Sequence, residues 1–100
     1  MLAKEKGCKG FIIISAGFSE ENAEGAAIEK HIVDTVNSVG GSLIGPNCTG
    51  FLNVNYAGCF DTPIPPLDPK GVDFITGSGA TAVFIKEYGM SNGLKFNSVW

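Results

Sequence analysis

The stretch FIIISAGFSEENAEGAAIEKHIVDTVNSVGGSLI, Phe11–Ile44, decides the fold. Its opening, Phe11 to Ser15, is a continuous run of large and β-branched apolar residues next to glycine. Such a run suits a strand buried on both faces of a parallel sheet. After Ala16, Gly17 and Phe18, Ser19 and Asn22 are the N-cap candidates of a helix, and Glu20 and Glu21 suit the positive end of its dipole. Apolar residues then recur three to four apart (Ile28, Ile32, Val36, Val39), with Ala26, Ala27 and Val33 between them, until Gly40-Gly41 stops the pattern. Ser42-Leu43-Ile44 gives a second short strand. Strand, helix and strand make a βαβ unit, which places the two strands parallel in a doubly wound sheet.

Outward from this unit, Leu2 to Lys6 reads as the last turns of a helix closed by Gly7. Downstream, the second strand runs into Gly45-Pro46-Asn47-Cys48. The texture changes from Tyr56. Asp61 to Gly71 (DTPIPPLDPKG) holds four prolines, which cannot donate to a ladder, and reads as a linker or a long ordered loop. VDFIT, the turn Gly77-Ser78-Gly79, ATAVFIKEYGMSNG and KFNSVW then repeat strand, glycine turn, helix and strand. The expected organisation is an α/β chain: residues 1–60 as the end of one parallel-sheet domain, 61–71 as linker, and 72–100 as the two-stranded start of another, or else both halves merged into one improvised sheet.

One hundred residues permit about one ordinary domain and exclude a two-domain enzyme. With 44% hydrophobic and 17% charged residues the chain is too apolar for disorder. Seven basic residues, all lysine, face ten acidic ones for a net charge of −3, and they form no nucleic-acid stripe. The FIIIS run is too short for a membrane span or signal peptide, so a cytoplasmic setting is expected. Three cysteines without a CxxC pair argue against a disulfide framework or a zinc site.

Candidate chemistry lies at the strand ends. Ser78, between glycines at a strand-to-helix junction, offers N–H groups, a hydroxyl and the positive end of a helix, which suits phosphate. The competing reading is a simple tight turn with Ser78 as N-cap. Neither a P-loop nor a nucleophile elbow is present. Ser15-Ala16-Gly17 and Gly45-Pro46-Asn47-Cys48 each follow a strand, and both loops should open on one sheet edge, where open α/β sheets bind ligands. For Cys48 the competing reading is a small buried residue behind a turn. His31, the one histidine, reads as an ordinary helix histidine. Glu20, Glu21, Glu24 and Glu29 beside Lys30 form a solvated face, and Phe60, Phe74, Phe84 and Phe96 read as core.

In their order, IIISAGFSE, LIGPNCTGFLN, PKG, VDFITGSGATAVF and GLKFNSVW resemble the nucleoside-diphosphate-forming acyl-CoA synthetases, which include ADP-forming acetyl-CoA synthetases and the α subunit of succinyl-CoA ligase. The resemblance implies a Rossmann-like CoA-binding domain ending near residue 60 and a flavodoxin-like ligase domain beginning at Val72. It implies the interconversion of acyl-CoA, phosphate and a nucleoside diphosphate with acid, CoA and the triphosphate, through an acyl phosphate and a phosphohistidine. By position it assigns Ser15, Ala16, Gly17, Asn47 and Cys48 to coenzyme A, with Cys48 as pocket wall, and Ser78 and Gly79 to phosphate.

Departures accompany the resemblance. The family turn usually reads Ser-Gln-Ser-Gly-Ala or Ser-Arg-Ser-Gly-Thr, whereas Thr76 and Gly77 stand here, and Val83 replaces the tyrosine of the succinate branch. The upstream glycine-rich CoA loop, the Gly-His segment and the ATP-grasp domain that binds Mg-nucleotide cannot be placed in this sequence. A fragment without turnover of its own is therefore expected, dependent on an ATP-grasp domain or subunit and associating through open sheet edges. The rival expectations are a non-catalytic CoA- or nucleotide-binding regulatory module and a ligand-free interaction domain.

Overall fold

The computed structural model describes residues 5–60 and 64–100. The helix expected over Leu2–Lys6 and the start of the proline segment lie largely outside them. The described elements are β1 (Gly10–Ile12), α1 (Ala23–Ser38), β2 (Ser42–Ile44), β3 (Gly50–Asn53), β4 (Tyr56–Cys59), β5 (Leu67–Phe74), α2 (Gly79–Ser91) and β6 (Phe96–Val99). They form two compact units, one up to Cys48 and one from Thr49 onward.

In the first unit β1 and β2 pair in parallel, Phe11 opposite Leu43 and Ile12 opposite Ile44. The expected strand over Phe11–Ser15 is shorter, and its burial on both faces is not found: β1 is at most half-buried and Ile14 is 46% exposed. Two strands and one helix cannot cover both faces of a strand. Of the two N-cap candidates the fold uses Asn22, whose side chain accepts from the Gly25 amide at 2.9 Å. The approach at Gly25 is tight, since a Cβ there would lie 2.1 Å from the Phe18 carbonyl oxygen. Val36 is the buried apolar residue of α1. Beyond the last turn the Lys9 ammonium donates to the Val39 carbonyl, placing a cation at the negative end of the helix.

The second unit holds a four-stranded sheet in the order β4-β3-β6-β5. β3 runs antiparallel to both β4 and β6, and β5 runs parallel to β6. The expected two-stranded start is thus corrected to four strands, because GFLN and YAGC form a hairpin that joins through β3 to β6. At its turn the Asn55 amide donates to the Asn53 side chain at 2.8 Å, the local bond by which asparagine makes a turn. This pairing places residues 49–60 in the second unit, where the sequence reading divides the chain at residues 60 and 71.

The proline segment is also shorter as a loop than expected, because β5 already begins at Leu67. Pro69 is tolerated because β5 is an edge strand, and Leu67 and Val72 both align with Phe96, so the intervening residues leave the ladder. The core is Leu52, Ala82, Phe96 and Val99, with Phe74 and Ile85 packed against it. Burying Phe96 and Leu52 contributes about 1.5–3 kcal/mol each. Two of the four expected core phenylalanines are not in it: Phe60 and Phe84 are each 64% exposed. Phe84 instead stacks on Tyr88, one turn along the outer face of α2. No helix among the described residues is long and apolar enough to cross a membrane.

Candidate functional site

The two strand-end loops of the first unit come together. The Ile13 amide donates to the Ile44 carbonyl at 2.9 Å, and beyond it the Asn47 amide donates to the Ser15 carbonyl, also at 2.9 Å. The parallel pairing therefore extends past both strands into the loops. Asn47 adopts a positive φ of 56°, which asparagine tolerates better than most residues. Gly45 lies at φ 86°, and a Cβ there would sit 2.1 Å from the Ile13 carbonyl oxygen, so the crossing of the two loops requires glycine.

Cys48 is half-buried, and its thiol donates to the Ile13 carbonyl at 3.4 Å. It packs beneath the turn with Sγ against the Gly45 backbone. Ser15, Ala16, Gly17 and Asn47 are exposed. The Gly17 amide is occupied by Glu20 Oε1 at 2.7 Å, and this bond, ahead of those from the Glu20 and Phe18 amides, holds the Glu20 carboxyl below the usual glutamate range. The polar groups this edge presents are the Ser15 hydroxyl and the Asn47 carboxamide.

In the second unit Ser78 caps α2 and accepts from the Thr81 amide at 3.3 Å and from its hydroxyl at 3.1 Å. Having accepted twice, the Ser78 hydroxyl keeps its proton for an outside acceptor. The Ser78 amide donates to Thr76 Oγ1 at 3.1 Å, so a hydroxyl that threonine shares with the family's serine satisfies one of the amides an anion would use. Ser78 and Gly79 are exposed at the helix N-terminus.

His31 is exposed on α1. Three residues escaped the sequence reading. Lys86 is only 2% exposed, on the face of α2 that also buries Ala82 and Gly89. The four-then-three spacing of these residues was the available signal. Asp73 accepts from Ser98 Oγ at 2.5 Å and from Asn97 Nδ2 at 2.8 Å, and these bonds, Ser98 first, hold its carboxyl below the usual aspartate range. Trp100 Nε1 donates to the same Ser98 hydroxyl at 2.8 Å.

No protein-family model matches the sequence. Individual relatives do. It is 36% identical over 97 residues to an ADP-forming acetate–CoA ligase I of Archaeoglobus fulgidus, covering 94% of this chain and 14% of that protein. It is 43% identical over 76 residues to the α subunit of an ADP-forming acetate–CoA ligase II of Pyrococcus furiosus, covering 76% of this chain and 16% of the subunit. This chain corresponds to a segment of the NDP-forming acyl-CoA synthetases. A Pyrococcus horikoshii protein of known crystal structure superposes with a TM-score of 0.87 at 35% identity, over 97% of this chain and 22% of that one. The dinucleotide-forming acetyl-CoA synthetase 1 of Candidatus Korarchaeum cryptofilum, solved with phosphate and ADP, shares the fold at a TM-score of 0.81 and 24% identity, over 97% of this chain and 20% of its own. The chain thus spans 14% and 16% of the length of these two curated relatives.

Proposed function

We propose that this chain supplies the CoA-contacting and phosphate-contacting loops of an NDP-forming acyl-CoA ligase. The observation that carries this reading is the bond between the Asn47 amide and the Ser15 carbonyl, which joins two strand-end loops into one edge. Open α/β sheets bind ligands at such an edge. Ser15 and Asn47 would hold coenzyme A by direct polar contact, with Ala16 and Gly17 as the adjoining backbone. Cys48 would keep the turn in place as wall, because its thiol is committed to Ile13. Coenzyme A supplies the thiol that carries the acyl group. Ser78 and Gly79 would hold phosphate through the free Ser78 proton and the helix N-terminus. The phosphorylated histidine, the ATP-grasp domain or subunit binding Mg-nucleotide, a cytoplasmic setting and homo-oligomeric association belong to the same reading.

The experiment is calorimetric titration of the folded chain with CoA and, separately, with phosphate. Saturable CoA binding that falls at least tenfold in Asn47→Ala and Ser15→Ala is expected, and a folded chain silent to millimolar CoA would sink the reading. A second reading, a non-catalytic CoA-binding regulatory module, is favoured by Gly77, which lacks the polar side chain that the family's Gln or Arg could set against phosphate. Isolating the polypeptide from its source cells and incubating it with acyl-CoA and phosphate separates the two. A polypeptide longer than these hundred residues that gains one acid-labile phosphoryl group supports the ligase; CoA binding without phosphoryl gain supports the module.

A further inference from the structure

An open groove of about 460 Å³ lies on the second unit. Asn53, Asn55, Asp73, Ile75, Asn97 and Trp100 are among the residues that line it. The reading above gives it no role. Among the lining side chains one is ionisable, the carboxyl of Asp73, and none is a cation. Oδ1 of that carboxyl takes the bonds from Ser98 and Asn97, which leaves Oδ2 as a charged acceptor. Asn97 has spent an amide proton on Asp73, and its own carbonyl oxygen remains an acceptor.

Beside these acceptors stands an oriented aromatic surface. Phe51 stacks on Trp100 with centroids 4.7 Å apart and planes 10° from parallel, covering one side of the indole. Trp100 and Ile75 line the groove and Phe51 does not, so the ring that the groove reaches is the indole. The indole cannot swing freely, because its Nε1–H is tied to Ser98 Oγ, whose own proton goes to Asp73. Carboxylate and ring are therefore held by one hydroxyl, Ser98, which is buried.

A fixed carboxylate oxygen, a neighbouring amide carbonyl and an indole face suit a flat cation with N–H donors along its edge. A guanidinium meets all three demands: its plane stacks on the ring and its edge donates to carboxylate and carbonyl together. An ammonium is a compact, strongly hydrated charge without a plane to stack. We propose that this groove is a guanidinium-binding subsite, with Asp73 as counter-ion and Trp100 as stacking platform. These hundred residues contain seven lysines and no arginine, so the guanidinium comes from outside them.

Trp100 is the sole tryptophan, which makes its indole N–H resonance a reporter inside the groove. The folded chain is titrated at constant ionic strength with methylguanidinium, with N-acetyl-arginine methylamide, and with N-acetyl-lysine methylamide and urea as controls. A saturable shift with both guanidinium compounds, at least tenfold weaker with the lysine compound and with urea, is expected. Asp73→Asn should weaken the guanidinium response at least tenfold. Because that substitution also touches Ser98 and Asn97, the arginine-to-lysine ratio in the unaltered chain stands as an independent criterion. Tighter binding of capped arginine than of methylguanidinium assigns the subsite to a polypeptide arginine outside these hundred residues, and equal binding assigns it to a small guanidine. A linear, unsaturating shift, or equal response to lysine and arginine compounds, overturns the proposal.

Discussion

The two units build their strand-end loops in opposite ways. In the first, residues more than thirty positions apart are joined, the Asn47 amide to the Ser15 carbonyl and the Cys48 thiol to the Ile13 carbonyl, over a two-stranded sheet whose helix buries one large apolar side chain, Val36. In the second, the Ser78 turn is tied within six residues by the hydroxyls of Thr76, Ser78 and Thr81, above a contiguous core of Leu52, Ala82, Phe96 and Val99. A site assembled from distant loops depends on the strands beneath it, whereas a locally bonded turn carries its own geometry. Disturbing the first unit's crossing should therefore cost its site entirely, while the Ser78 turn should lose ligand contact before it loses shape.

The largest expected effect tests the core. Phe96→Ala removes a fully buried ring and should destabilise the chain by about 3–5 kcal/mol, read as a fall in the urea midpoint. A loss below about 1 kcal/mol would place the stability elsewhere than in the second unit. Next, Gly45→Ala sets a Cβ on the Ile13 carbonyl at positive φ and should cost on the order of 2–3 kcal/mol. Faster hydrogen exchange at the Asn47 amide is its signature, and unchanged protection there would break the idea that this crossing supports the site.

Ser78→Ala removes the α2 cap, at about 1 kcal/mol, together with the hydroxyl proton offered to phosphate. Asn22→Ala should cost a similar amount at the start of α1, so a Ser78 variant that lost phosphate binding and kept its cap stability would separate the two roles of that serine.

Acid sharpens the comparison further. Asp73, held low by Ser98 and Asn97, and Asp68, held low by the Lys70 amide and then by Lys95, are both depressed in the folded chain. Their contribution is complete above the ordinary aspartate pKa of about 4 and is lost as pH falls through their lower folded values. Asp73→Asn should flatten the acid limb of the stability profile, and an unaltered limb would show that these bonds leave folding indifferent to pH. The smallest effect belongs to the exposed pair Lys30–Asp34 on α1, where Lys30→Ala should change stability by no more than about 0.5 kcal/mol, measured in the same urea series.

Much of this was legible in the residues themselves. The βαβ unit of Phe11–Ile44, the cap candidates around Asn22, the Ser78 turn and the start of β6 follow from periodicity and turn chemistry, which act over a few neighbours along the chain. The family segment was legible too, because several spaced motifs recur in order. What tertiary structure alone decided is every feature that needs residues distant in sequence. GFLN and YAGC became a hairpin in the second sheet because β3 found β6, and β5 reached back into the proline segment because an edge position has no ladder bond to lose at Pro69. Phe84 turned outward while Lys86 turned inward, since the register of α2 against the sheet, and not the polarity of each residue, set which face was buried. Asp73 stands 25 positions from Ser98, and only the parallel pairing of β5 with β6 brings its carboxylate to the hydroxyl of Ser98, on which the nearby Trp100 indole is also tied.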